Sequence, residues 1–183
     1  MLNTYVVYVE NKPGVLTRVA SLFRRRAFNI DSLTVGRTEK PEVSRMTITV
    51  DADRDQARRI EANLYKLVNV LLVENITTVP AIVRDLAMIK VAATHEARSH
   101  VLELASVFRA RVVDVGPESL IIEITGGDDK IDGLLEMLRP YGVLEMVRTG
   151  IVAMRRGNKP YAALALPEAS AEATAEDDLS QSV

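Results

Sequence analysis

Residues 10–16 read Glu-Asn-Lys-Pro-Gly-Val-Leu (ENKPGVL), and the way this stretch joins its neighbours decides how the chain is built. Before it, residues 3–9 (NTYVVYV) carry the β-branched and aromatic side chains of a strand. After it, residues 15–26 (VLTRVASLFRRR) place Val15, Val19, Leu22 and Phe23 on one stripe at helical spacing. A Pro-Gly pair is ordinary punctuation between a strand and a helix. The same residues could also hold a small anion. Asn11 offers a donor and an acceptor on one side chain, and Gly14 lets a ligand approach the backbone closely. The first amides of a helix, here those of Gly14, Val15 and Leu16, lack helical partners and point along the positive end of its dipole. On the chemistry alone, a plain turn and a carboxylate site are both open.

Working outward, residues 44–50 (SRMTITV) alternate strictly, with Met46, Ile48 and Val50 on one face and Arg45, Thr47 and Thr49 on the other. This pattern predicts a half-buried strand of an antiparallel sheet. Ala57, Ile60, Leu64 and Leu67 form a second helical stripe, opened by Asp53 with Gln56 as its capping-box partner. The order through residue 78 is strand, helix, strand, strand, helix, strand. The second half repeats it. Residues 85–93 (DLAMIKVAA) predict a strand and residues 95–109 a helix bearing Val101, Leu104, Ala105 and Phe108. RVVDV and SLIIEIT form a hairpin turning at Gly116-Pro117, and Ile131, Leu134, Leu135 and Leu138 mark a helix stopped by Pro140. Residues 143–154 (VLEMVRTGIVAM) close the unit. The fold class is therefore α+β, with two ferredoxin-like βαββαβ units over 1–79 and 80–157, joined near Val79-Pro80-Ala81. From Pro167 the chain carries Glu168, Glu172, Glu176, Asp177 and Asp178 without a basic residue or an apolar face. Residues 158–183 are expected to form a flexible tail, disordered and acidic.

Composition narrows the function classes. A formal charge of −2 gives no excess of Lys and Arg for coating nucleic acid. Aromatic residues make up only 4%, too few for the stacking platform of an RNA-binding sheet. Cysteine is absent, which removes disulfides, thiol nucleophiles and Cys-based zinc sites and fits a reducing cytosol. No run approaches a membrane helix and the N-terminus has no basic n-region, so a cytoplasmic location is expected. The Asn75-Ile76-Thr77 sequon therefore carries no weight. His95 and His100 are five apart, off the spacing that puts two ligands on one helix face. Residues 126–133 (GGDDKIDG) lack the ending of a phosphate loop, and Asp128 and Asp129 are expected to cap the following helix. Arg24, Arg25 and Arg26 fall at the last turn of the first helix, where cations suit the dipole and the orphan carbonyls. That role is preferred over a phosphate or partner contact.

Residues 10–53 (ENKPGVLTRVASLFRRRAFNIDSLTVGRTEKPEVSRMTITVDAD) resemble the start of the small, regulatory subunit of acetohydroxyacid synthase, also called acetolactate synthase, which begins with an ACT domain. The match is dense in ENKPGVL, in the FNI-x-SL-x-VG segment and in SRMTI. KLVNVLLV and MVRTGIVAMRRG extend it over residues 1–157. The resemblance implies a non-catalytic subunit with no cofactor of its own. Its partner would be a large catalytic subunit carrying thiamine diphosphate, Mg²⁺ and FAD. The small subunit would raise that partner's activity and confer feedback inhibition, commonly by valine, in branched-chain amino-acid biosynthesis. The family's effector positions fall on Asn11, Gly14 and Asn29, with the backbone of Val15, Leu16 and Ile30 in the same site. Asn29 taken by itself is equally suited to easing a helix into a strand. A helix from Val15 to Arg26 is about 18 Å long, so Asn11 and Asn29 lie at opposite ends of it. If both touch one effector, the site must sit between two chains of a homodimer. The second junction, residues 91–100 (VAATHEARSH), has neither the Pro-Gly nor an Asn. The second half is then the candidate for docking on the large subunit or carrying the signal. Asn69 and Leu72 depart from the family's usual acidic and basic residues, a difference worth under about 1 kcal/mol at a surface. An ACT-type sensor serving another client is the alternative function, and a small enzyme on the same scaffold is a further one.

Overall fold

The computed structural model describes residues 1–157; the acidic stretch expected to be a disordered tail lies outside the described residues. The chain is α+β. Its first half runs β1 (Leu2–Glu10), α1 (Val15–Arg25), β2 (Ile30–Arg37), β3 (Val43–Asp51), α2 (Arg54–Leu64) and β4 (Val70–Asn75). All strand pairs are antiparallel in the order β2-β3-β1-β4, the ferredoxin-like arrangement. The second half repeats it with β5 (Ala81–Ala92), α3 (Arg98–Val107), β6 (Arg111–Val115), β7 (Ser119–Gly126), α4 (Asp128–Leu138) and β8 (Val143–Arg148) in the order β6-β7-β5-β8. A short 3-10 turn, Arg139–Tyr141, carries Pro140 where α4 stops. The expected boundary at 79–80 falls in the link between β4 and β5.

Helical periodicity places the helices as expected. Val15, Val19, Leu22 and Phe23 of α1 and Ala57, Ile60 and Leu64 of α2 pack on Tyr5, Val7, Val9, Met46, Ile48 and Val50. Asp53 and Gln56 close the capping box at α2. In the second half Val101, Ala105, Ile131, Leu134 and Leu138 cover Ile89, Val91, Leu120 and Ile122.

The structure corrects five expectations. The strand expected from Asp85 begins at Ala81, and α3 is shorter than residues 95–109. Residues 143–154 form two strands, because Gly150 at φ 86 breaks the run between β8 and β9 (Val152–Arg155). Asp128 and Asp129 are not N-caps. Gly127 holds that place without a side-chain bond, and the two aspartates occupy the first turn, where negative charge suits the helix dipole. Lastly, β3 is buried on both faces, with Thr47 2% and Thr49 0% exposed.

Burial of that second face comes from β5 and β9. The first four residues of β5 pair with β9, Ala81 opposite Arg155 through Arg84 opposite Val152. This ribbon lays Ala81, Val83, Ile151 and Ala153 over Val6, Tyr8, Val43 and Ile76 of the first sheet. Arg45 ties the layers, donating from Nε to the Tyr8 hydroxyl at 3.2 Å and from Nη2 to the Ala153 carbonyl. Arg155 pairs with Glu74 at 3.1 Å.

The helix ends repeat as well. After α1, Ala27 takes φ 54 while its amide bonds the Arg24 carbonyl and the Phe28 amide bonds the Phe23 carbonyl. After α3, Arg109 takes φ 51, with Arg109 N to Ser106 O and Ala110 N to Ala105 O. Both are Schellman turns whose left-handed position lacks the usual glycine. The first also sets Phe28 edge-on to Phe23, centroids 6.4 Å apart. A side chain in this conformation costs about 1 kcal/mol or more. Ala27→Gly should therefore stabilise the chain, with the relief of strain offsetting the glycine's unfolded-state entropy and leaving a net gain of a few tenths to about 1 kcal/mol. Urea unfolding measures this, and a loss of stability would mean that Ala27 sits there without strain.

Candidate functional site

The ENKPGVL loop is drawn to the tip of the β2–β3 hairpin. The Asn11 side-chain amide donates to the Pro41 carbonyl at 2.8 Å, and the Asn11 backbone amide to the Glu42 carbonyl at 2.7 Å. Lys12 N bonds Glu10 O, and Val15 N reaches Lys12 O at 3.4 Å, which folds residues 10–15 into a tight turn. Gly14 stands at the head of α1 with φ 81, a conformation that favours glycine. No side chain caps the helix there, and a Cβ on Gly14 would meet nothing within 4 Å. The first bond of the ladder runs from Arg18 N to Gly14 O, so the amides of Leu16 and Thr17 precede it. Asn11 and Gly14 are exposed, Val15 is buried, and Leu16 leaves 44% of its surface open.

Asn29 and Ile30 lie at the other end of α1, on the link into β2, with Asn29 exposed and Ile30 half-buried. The six expected site residues therefore form two groups that one chain does not bring together.

Charge at the loop is set by residues outside that group. Arg18 donates to Asn69 Oδ1 at 2.6 Å, and Asn69 Nδ2 donates to Glu10 Oε2. The Asn69 bond first, and then Lys12, hold the Glu10 carboxyl below its ordinary range. Asn69 thus stands between an arginine and a glutamate and bonds both.

The corresponding junction of the second half is closed by a side chain. Arg98 Nη2 donates to the carbonyls of Ala93, Gly116 and Pro117, at 3.2, 2.7 and 2.6 Å, bridging the β5–α3 loop to the β6–β7 turn. His95 and His100 nearby are exposed. Arg98 went unremarked in the sequence because an arginine at a helix start carries no pattern of its own.

A second set of residues links the halves. Asp85, 3% exposed, accepts from Arg148 Nε at 2.6 Å and from Thr149 Oγ1 at 3.0 Å. Arg148 also pairs with Asp128 and Asp132 of α4. The next residues touch β2: Ile151 N donates to Ser32 Oγ at 3.1 Å, and Thr34 Oγ1 to Thr149 O at 3.4 Å. A Cβ on Gly150 would sit 2.6 Å from Ser32 Oγ and 2.9 Å from Thr34 Oγ1. The sequence signal was Gly150 itself, since a glycine within a strand pattern marks a break or a close approach. Among the described residues no helix is long and apolar enough to cross a membrane.

Comparison with known proteins covers both halves. A family model described as an AHAS small subunit-like ACT domain matches residues 6–72, and one described as the small subunit of acetolactate synthase matches residues 84–157. A protein of Archaeoglobus fulgidus named probable acetolactate synthase small subunit is 50% identical over 159 residues, 87% of this chain and 99% of that protein. The acetolactate synthase small subunit of Mycobacterium bovis is 47% identical over 155 residues, 85% of this chain and 92% of the relative. The crystal structure of the acetolactate synthase small subunit from Thermotoga maritima superposes with a TM-score of 0.81 at 42% identity, covering 87% of this chain and 99% of that one.

The Glu10–Asn69 contact gives a direct test of the loop's electrostatics. Asn69→Ala should move the Glu10 pKa up toward its ordinary value, read from a carboxyl NMR titration. Because the folded pKa is depressed, the associated stability is present above the ordinary carboxylate pKa and fades as pH falls through Glu10's own. An unmoved pKa would assign the shift to Lys12 instead.

Proposed function

This chain belongs to the family of acetolactate synthase small subunits, and we propose that it is the regulatory subunit through which valine inhibits the enzyme. In this reading it carries no catalytic residue or cofactor. As a cytoplasmic homodimer it binds the large subunit, which holds thiamine diphosphate, Mg²⁺ and FAD, raises its activity, and lowers it when valine accumulates.

The observation that carries the effector site is the contrast between the two junctions. The first is open around Gly14, and the second is filled by the Arg98 guanidinium. An α-carboxylate would meet the leading amides of α1 at the positive end of its dipole. Leu16 would offer apolar surface to the branched side chain. Asn29 and Ile30 would come from a second copy. Among the described residues β2, which begins at Ile30, pairs with β3 alone, and its open edge can receive that copy. The division into an effector-binding half (1–79) and a partner-facing half (80–157) belongs to the same reading. The route between them would run along β2 to residues 149–151 and on to Asp85 and Arg148.

Calorimetric titration of the full chain with valine, leucine, isoleucine and serine tests the site. Saturable valine binding near one per chain is expected, with serine silent. Asn29→Ala should weaken it by roughly 1–3 kcal/mol if the amide is a buried partner. Gly14→Asp should abolish it by setting a carboxylate against the effector's own. Gly14→Asn imposes the same backbone strain without the charge, and should retain more affinity. Valine binding by Gly14→Asp as tight as that of the unaltered chain would sink the assignment. Valine binding with no effect on the large subunit would point to a sensor with another client.

Gly150→Ala tests the route. The added methyl must displace Ser32 and Thr34, and its φ of 86 disfavours any side chain. Valine binding should persist while inhibition of the reconstituted enzyme weakens. Inhibition unchanged at full valine occupancy would remove residues 149–151 from the route.

A further inference from the structure

Arg24 and Arg25 stand in the last turn of α1, where their charge suits the dipole as expected, but the carbonyls there do not take the three arginine side chains. The carbonyls at the end of α1 are bonded by the amides of Arg26, Ala27 and Phe28 in the Schellman turn. Among the described residues none of the three arginines enters an ion pair, and α1 contains no acidic residue to offset them.

Two of them line a groove of about 420 Å³ between the C-terminal halves of α1 and α2, together with Leu22, Asn63, Lys66 and Leu67. Among the described residues no carboxylate lines it. Asn63, 6% exposed, gathers the cations: its Oδ1 accepts from Arg26 Nη2 at 3.1 Å and from Lys66 Nζ at 3.4 Å, while its Nδ2 is anchored to the Arg59 carbonyl at 2.7 Å. Two positive groups thus converge on one neutral oxygen, with Arg25 beside them. Such a grouping repels itself unless an anion sits among its members. Glu61, the acidic residue of α2 closest in sequence, does not line the groove; after burial, its charge is the second cause that lifts the Tyr5 phenol above its ordinary range.

We propose that this groove binds a small phosphate-bearing anion. Two guanidinium forks and an ammonium suit the oxygens of a phosphoryl group, which accept paired N–H bonds that a single carboxylate would share less well. Leu22 and Leu67 give an apolar wall for the organic part of the ligand. The groove lies at the end of α1 opposite the ENKPGVL loop of the same chain, and its lining uses neither the leading amides of α1 nor Asn29 and Ile30, so it does not depend on the effector assignment.

Pyrophosphate is the probe, titrated calorimetrically into the full chain at ionic strength held constant with sodium chloride. Arg25→Gln/Lys66→Gln removes two charges from the groove, and Arg24→Gln/Arg58→Gln removes two from exposed positions that do not line it. Circular dichroism confirms that both variants fold. Saturable binding is expected in the unaltered chain and in the second variant, and binding weaker by about tenfold or more in the first. Absence of saturable heat overturns the proposal. Equal weakening in both variants also overturns it, because it would show general attraction to a basic surface.

Discussion

Val6, Tyr8 and Val43 point away from the helices that cover the opposite face of the first sheet, and water would meet all three if nothing lay over them. Each fully buried side chain of this kind is worth roughly 1.5–3 kcal/mol against exposure. The chain answers this constraint with β5, whose twelve residues serve two structures. Its first four pair with β9 and lie over the first sheet, and residues 87–91 sit centrally in the second sheet between β7 and β8. One continuous strand thus joins the two cores. The halves share a covalent beam and a buried apolar layer, so neither can turn on the other without exposing Val6 and its neighbours.

At the point where β5 changes partners, Asp85 is buried and polar. A lone buried carboxylate is costly, but here Arg148 and Thr149 take both oxygens. Arg148 then fans to the head of α4, and the backbone beside it contacts β2. Polar groups at such a crossing fix the register of the two cores more sharply than apolar contact would. A shift of β2 by a fraction of an ångström changes hydrogen bonds at Ser32 and Thr34 and leaves the apolar layer little altered. That combination, a stiff apolar plate with a polar edge, is what the proposed regulatory role would require.

Much of this was legible in the residues. Helical stripes such as Val15, Val19, Leu22 and Phe23 predict their buried face because a helix has one core side. The capping box at Asp53 and Gln56 is local chemistry and reads directly. The alternation in SRMTITV was misleading for a physical reason: threonine on an outward face reads as solvated, yet its small, β-branched side chain is equally at home beneath another strand once its hydroxyl finds a partner. Burial there depends on β5 and on β9, the latter more than a hundred positions away, which no local pattern carries. The candidate site's loop was legible in part. ENKPGVL marks it through Pro and Gly, whereas the Asn11 bond to Pro41, the Arg98 plug and the Asn69 bridge are long-range contacts of ordinary polar residues. Asp128 and Asp129 were misplaced by one turn position because Gly127 in an extended conformation could head the helix as well.

The proposed site, with valine held between two chains, has a consequence that follows from linkage alone. The free energy by which a second copy completes the site is the free energy by which valine tightens the dimer. Apparent affinity must then rise with protein concentration wherever the dimer is incomplete, and become constant once it is saturated. A ligand enclosed within a single chain would show no such dependence. The same reciprocity would limit the proposed regulation: valine could shift the large subunit only by the difference between its affinities for the active and inhibited arrangements, typically about 1–3 kcal/mol. With Asn11 and Asn29 at opposite ends of α1 and Gly150 seated on β2, the proposed reading places the origin of that difference in how one chain's β2 lies against its neighbours. Contacts made by the amino acid that are equal in both arrangements add affinity and no control.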